Sequence, residues 1–185
     1  ANDRFGNPSR AYDFESTGRT FSQQGHRIIL PVEMNVGQFS ISIWVKPESY
    51  YWTGNSVKKS RIISTKRDNL NSSASLFYLE LSEDDLRFRQ NTGIQLFKDS
   101  TIPLSTWSHL TYTIDQSALK LYVNGNNLKS TSFSVTPGFQ GSLMLGEEHA
   151  TNGHWYYYDG LMDDIRIYDR ALSAVEVQAL FQVGQ

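Results

Sequence analysis

The chain is a succession of short runs in which apolar and polar residues alternate, with turn residues between one run and the next. Phe39-Ser-Ile-Ser-Ile-Trp-Val45 is the clearest run. Successive side chains of a strand point to opposite faces, so alternation makes a strand with one face on a core. Arg61–Thr65, Leu76–Leu81, Leu86–Arg89, His109–Ile114, Leu119–Val123, Leu128–Phe133, Ser142–Gly146 and Met162–Tyr168 read the same way. Lys46-Pro47 is expected to end the first run, and Ser82–Asp85, Asp115–Ala118 and Asn124–Asn126 are turns. Many short strands at this spacing make a sandwich or jelly roll. The expected fold is all-β, a two-sheet antiparallel jelly-roll β-sandwich.

One helix is expected, at the C-terminus. Ser173-Ala-Val-Glu176 fits a capping box, Val175, Val177 and Leu180 offer an apolar stripe, and Gly184 is a stop. Trp44 and Trp107 stand in apolar-alternating strands and are assigned to the core.

Composition narrows the function. Aromatics make up 13% of the 185 residues and charged residues only 19%, which suits strands more than helices. A net charge of -2 gives no electrostatic case for nucleic acid or anionic membrane. No apolar run is long enough for membrane insertion. With no cysteine, disulfides and thiolate metal sites are excluded, leaving oxygen ligands or His for any metal. The length suits one domain over residues 1–185, with no linker or repeat.

Gly160–Leu172 carries two adjacent carboxylates, Asp163 and Asp164, on a strand. Asp is depleted in strands, so the pair calls for a neutralising cation or an exposed strand end. Neighbours on a strand face opposite sides, so the two are expected to do different jobs.

Five segments in order resemble the laminin-G-like jelly-roll family of the concanavalin A-like superfamily, with pentraxins as relatives. They are Ala11–Glu15, Phe39–Pro47, Trp107–Asp115, Leu119–Gly125 and Gly160–Leu172. Asp3-Arg-Phe-Gly-Asn7 is similar to the start of bacterial members embedded in large secreted proteins. The resemblance implies a structural calcium held by an aspartate of the last strand and carbonyls of the N-terminal segment. Asp163 or Asp164 would supply the carboxylate, with Glu15 nearby; the alternative is a salt bridge to Arg166 or Arg170. Ser64–Asn69 and Leu143–Glu148 resemble pentraxin segments that carry ligand-binding calcium. That implies Asp68, Asn69 and Glu148 as a second set, weakened by Ala150 and by His149 beside them.

The remaining site candidates are aromatic. Tyr50, Tyr51 and Trp52, and Trp155 and Tyr156, lie in turn-rich stretches with Asn55, Asn69, Asn152, His154 and Asp159 as polar companions. Sugars stack their C–H faces on rings while their hydroxyls take polar contacts, so these groups suit a glycan. The alternative is packing, and Tyr157 or Tyr158 is expected to point inward. Catalytic patterns are not met: Glu80-Leu-Ser-Glu-Asp-Asp85 lacks the middle acid of a glucanase strand, at Ser82. Arg87 and Arg89 alternate without the His and Gln partners of a lyase. The sequence therefore points to a non-catalytic carbohydrate-binding, lectin-like module. It is expected in a larger secreted or cell-surface protein of bacterial origin, alongside other domains. The alternatives are an adhesin binding protein and a diverged polysaccharide hydrolase or lyase.

Overall fold

The computed structural model describes residues 1–15, 26–30, 37–50, 59–65, 77–82, 86–90, 95–98, 102–132, 142–149 and 155–183. The first sheet has six strands. In spatial order they are β1 (Tyr12–Phe14), β14 (Asp159–Tyr168), β3 (Phe39–Ser49), β8 (Ser108–Ile114), β9 (Ala118–Val123) and β10 (Asn126–Ser132). The second runs β2 (Ile28–Leu30), β11 (Leu143–Leu145), β4 (Lys59–Thr65), β5 (Phe77–Ser82), β6 (Leu86–Gln90) and β7 (Gln95–Lys98). β12 (Glu147–His149) and β13 (Trp155–Tyr157) form a separate two-stranded ribbon, and α1 is Ala174–Val183. All pairings are antiparallel. The jelly-roll β-sandwich with a C-terminal helix is thus what the alternation predicted.

Alternation decides what the sheets bury. Phe39, Ile41, Ile43 and Val45 of β3 meet Phe77, Leu79 and Leu81 of β5 and Leu86 and Phe88 of β6 in one core. The rings of Phe39, Phe77 and Phe88 stand 5.6 Å apart in succession, so aromatic contact links the two sheets.

Two sequence expectations are corrected. Pro47 does not end β3, which continues to Ser49. The ladder shifts register between Asp159 and Gly160, leaving Pro47 opposite Gly160, so the missing N–H falls at an irregularity. Gly160 has φ 137, and a Cβ there would come within 2.3 Å of the Lys46 carbonyl. Trp107 is only half-buried, ahead of β8. Trp44 is buried on the outer face of its sheet, stacked on Phe181 of α1 at 5.8 Å.

The outer face of the first sheet is therefore a second packing layer. Ser40, Ser42 and Trp44, which alternation alone would give to solvent, are all buried. The Ser40 hydroxyl donates to the Arg170 carbonyl at 2.9 Å and accepts from Leu172 N at 2.8 Å, fixing the approach to α1. Val177 is buried with Tyr122 and Leu172, and Leu180 packs on them. Val175 is 79% exposed, because two residues turn about 200° around a helix and carry it away from Val177.

The capping box forms as the sequence implied. Glu176 N donates to Ser173 Oγ at 3.3 Å, and Glu176 Oε2 accepts from Ser173 N at 2.8 Å. Arg170 adds a contact to Glu176 at 2.5 Å. The Arg170 and Ser173 hydrogen bonds hold the Glu176 carboxyl at about 2, below its ordinary 4.5. Ser173→Ala is expected to cost about 1 kcal/mol of stability, or roughly 2–4 °C of melting temperature, read by thermal denaturation.

Candidate functional site

Two constellations of polar side chains are built on the outer faces of the sheets. The first spans β4, β5 and β6. A bulge between Arg61 and Ile63 lets Ile62 and Ile63 both enter the core while Arg61 turns outward, opposite Glu80. Glu80 is in turn opposite Arg87. The fully buried Glu80 carboxylate is held by the Arg61 guanidinium and by Arg87 at 3.3 Å. Arg61 also lies between two rings, 3.8 Å from the centroid of Tyr78 and 4.5 Å from that of Tyr156. Arg89 reaches the Tyr78 hydroxyl at 3.4 Å.

Tyr156 belongs to the ribbon, which lies over β4. Gly146 makes the passage from β11 into the ribbon with φ 80, and its missing Cβ leaves room for the Phe14 ring. The Ser64 hydroxyl donates to the Glu147 carbonyl at 2.8 Å, and Arg27 pairs with the buried Glu147 carboxylate at 2.9 Å. Register sets Glu148 opposite Tyr156 and His149 opposite Trp155.

The second constellation surrounds Asp163 and Asp164. A bulge between Asp163 and Arg166, with Asp164 at φ 46, brings both carboxylates to one side of β14. Arg4 donates to Asp163 Oδ2 at 2.7 Å and to Asp164 Oδ2 at 3.2 Å. Its guanidinium stands 5.1 Å from the Trp44 ring and 4.5 Å from the Phe5 ring. Arg166 Nε donates to Asp164 Oδ1 at 2.7 Å, which keeps the Arg166 pKa raised. Beneath Trp44, His109 Nε2 and Ser42 Oγ are hydrogen-bonded at 2.8 Å. This pair resembles a nucleophile and its base, yet both residues are buried under α1, which bars a substrate.

A laminin G-type family model, described as the concanavalin A-like lectin/glucanases superfamily, matches residues 22–178. The chain belongs to this superfamily. Solved structures share the superfamily fold at low identity. One is the heptameric SAP-like pentraxin of Limulus polyphemus (15% identity, 93% of this chain and 81% of that one, TM-score 0.67). A second is the CBM40 module of a Ruminococcus gnavus IT-sialidase bound to α2,3-sialyllactose (16%, 86% and 97%, 0.64). A third is domain 4 of AbnA, an extracellular arabinanase from Geobacillus stearothermophilus, with arabinotriose (23%, 98% and 85%, 0.59). No curated protein matches the sequence. Among the described residues no helix is long and apolar enough to cross a membrane.

The superfamily fold brings together residues that the sequence offered as separate groups. Glu148, His149, Trp155 and Tyr156 share the ribbon. Tyr50 is not with them: it packs against the main core and donates to the Ile102 carbonyl at 3.2 Å, so packing claims its ring. Asp159 is buried and accepts from the Ser49 hydroxyl. Tyr157 and Tyr158 are buried, as expected. Tyr51, Trp52, Asn55, Asp68, Asn69, Asn152 and His154 lie outside the described residues. Arg61, Glu80 and Arg87 were not foreseen as a unit. Their one signal was that charge stood at outward positions of three successive strands.

The expectation that Asp163 and Asp164 face opposite sides is overturned by the left-handed φ of Asp164. All four carboxylate oxygens accept hydrogen bonds from protein donors: Arg4, Arg166 and Asp164 N. Glu15 follows Phe14, which pairs with Gly160, so it lies about four residues along the sheet from the neighbour of Asp163. Calcium needs six to eight oxygens turned toward it, and the arrangement at this bulge does not fit one.

Two outcomes follow from these contacts. Arg61→Ala removes a guanidinium from the buried Glu80 carboxylate and is expected to cost about 3–5 kcal/mol, measured by denaturant unfolding. Burial lowers the His109 pKa from 6.5 to about 4; Asp164 opposes this, and Arg4 and Arg166 assist it. The unfolded chain therefore gains a proton at higher pH than the folded one. Stability should fall by up to about 3 kcal/mol as pH drops from 6.5 to about 4, and His109→Gln should flatten that slope.

Proposed function

We propose that this domain is a non-catalytic carbohydrate-binding module of a larger secreted or cell-surface protein, and that it binds glycan where the β12–β13 ribbon overlies the second sheet. The observation that carries this reading is the Tyr78–Arg61–Tyr156 stack. It holds the ribbon, the element that carries Glu148, His149 and Trp155 in sequence, over a row of charged residues on the second sheet. A backbone element anchored before binding lowers the ordering cost of capturing a sugar. Glycan ligands in two proteins of the same fold, α2,3-sialyllactose and arabinotriose, support carbohydrate as the ligand class.

A non-catalytic reading suits Glu80. Its fully buried carboxylate is taken up by Arg61 and Arg87 rather than presented to a substrate. Single-site affinity is expected in the micromolar to millimolar range, raised by multivalent display.

A glycan array followed by calorimetry tests the proposal, with arabinan oligomers and sialyllactose among the probes. Trp155→Ala is expected to reduce affinity for whichever glycan binds by about tenfold or more, with the circular dichroism spectrum unchanged. Binding of no glycan, or binding indifferent to both Trp155→Ala and Tyr156→Ala, refutes this location. Turnover of any polysaccharide refutes the non-catalytic reading.

A further inference from the structure

The two elements that the family resemblance would join through calcium, the last strand and the N-terminal segment, are here joined by a side chain. The segment Asp3–Asn7 is a closed loop. Asp3 Oδ1 accepts from Phe5 N at 2.9 Å and Asn7 N at 2.8 Å, while Oδ2 accepts from Asn7 Nδ2 at 2.9 Å. Asp3 N donates to the Asn7 carbonyl at 3.0 Å. Desolvation works against the Asp3 carboxylate, and these hydrogen bonds outweigh it, holding its pKa below the ordinary value. Loop closure around Asp3 places Arg4 against the sheet.

At the sheet the two carboxylates converge because β14 is bulged. A guanidinium is planar and presents parallel donors, so it grips the two carboxylates in a fork. The fork is packed as well as charged. Arg4 lies near Trp44, which stacks on Phe181 of α1. One cation thus ties the N-terminal loop, β14, β3 and the C-terminal helix together.

We propose that the Arg4 guanidinium is the resident cation of the Asp163–Asp164 bulge, standing in for a structural calcium and making closure of the N-terminal loop independent of metal. The inference concerns the first sheet and does not depend on the glycan site.

Thermal unfolding of the full chain in calcium chloride and in EDTA tests it. The wild-type melting temperature is expected to be the same in both. Arg4→Gln should lower it by roughly 5 °C or more, and adding Asp163→Asn should recover part of that loss, because the second change removes the charge left uncompensated. Should Arg4→Gln fail to fold, Arg4→Lys keeps the charge without the fork and is expected to melt below wild type, again with no response to calcium. Three results overturn the proposal. They are a wild-type melting temperature raised by calcium and no longer so in Asp163→Asn, an Arg4→Gln loss that Asp163→Asn does not reduce, and an Arg4→Lys variant stabilised by calcium.

Discussion

The contact between Arg4 and the two aspartates spans 160 residues of sequence. It joins a loop with its own hydrogen-bond closure to a strand that has been bent to receive it. Neither partner is stable alone: two convergent carboxylates repel, and a half-buried guanidinium needs an acceptor. Trp44 sits against this ion cluster on one side and α1 on the other, so the electrostatic contact and the apolar layer under the helix share a ring. Burial in the same layer lowers the His109 pKa to about 4. The helix and the Trp44 ring that cover it remove the water a charged imidazole would need.

The second sheet uses the same devices on its own outer face. A bulge turns Arg61 outward, a buried carboxylate receives it, and aromatic rings flank the guanidinium. The difference lies in what is attached. On the first sheet the ion cluster secures a terminal loop near a packed helix. On the second it secures the short β12–β13 ribbon over β4. A superfamily fold with two such faces can give one to stability and the other to recognition.

Most of the architecture was legible in the chain. Period-two runs marked β3, β5, β8 and β9, because a half-buried strand must alternate. Ser173 and Glu176 announced α1, because a capping box is a local chemical arrangement. The three-residue strands β1 and β2 had no periodicity to show, being shorter than one full alternation on each face. The site was legible as residue types and illegible as groups. Glu148 with His149 and Trp155 with Tyr156 looked like separate clusters until pairing in the ribbon put them opposite one another. Tyr50, which resembled its aromatic neighbours in sequence, was claimed by the core.

By itself the sequence determined the sandwich, its helix and the presence of an unusual acid pair, since alternation, capping and residue type are local properties. Only the tertiary structure decided what neutralises that pair. Strand periodicity sends adjacent side chains apart, and it takes a left-handed residue at Asp164 to bring them together. The cation that meets them comes from the far end of the chain, at a place set by how the N-terminal loop closes on Asp3.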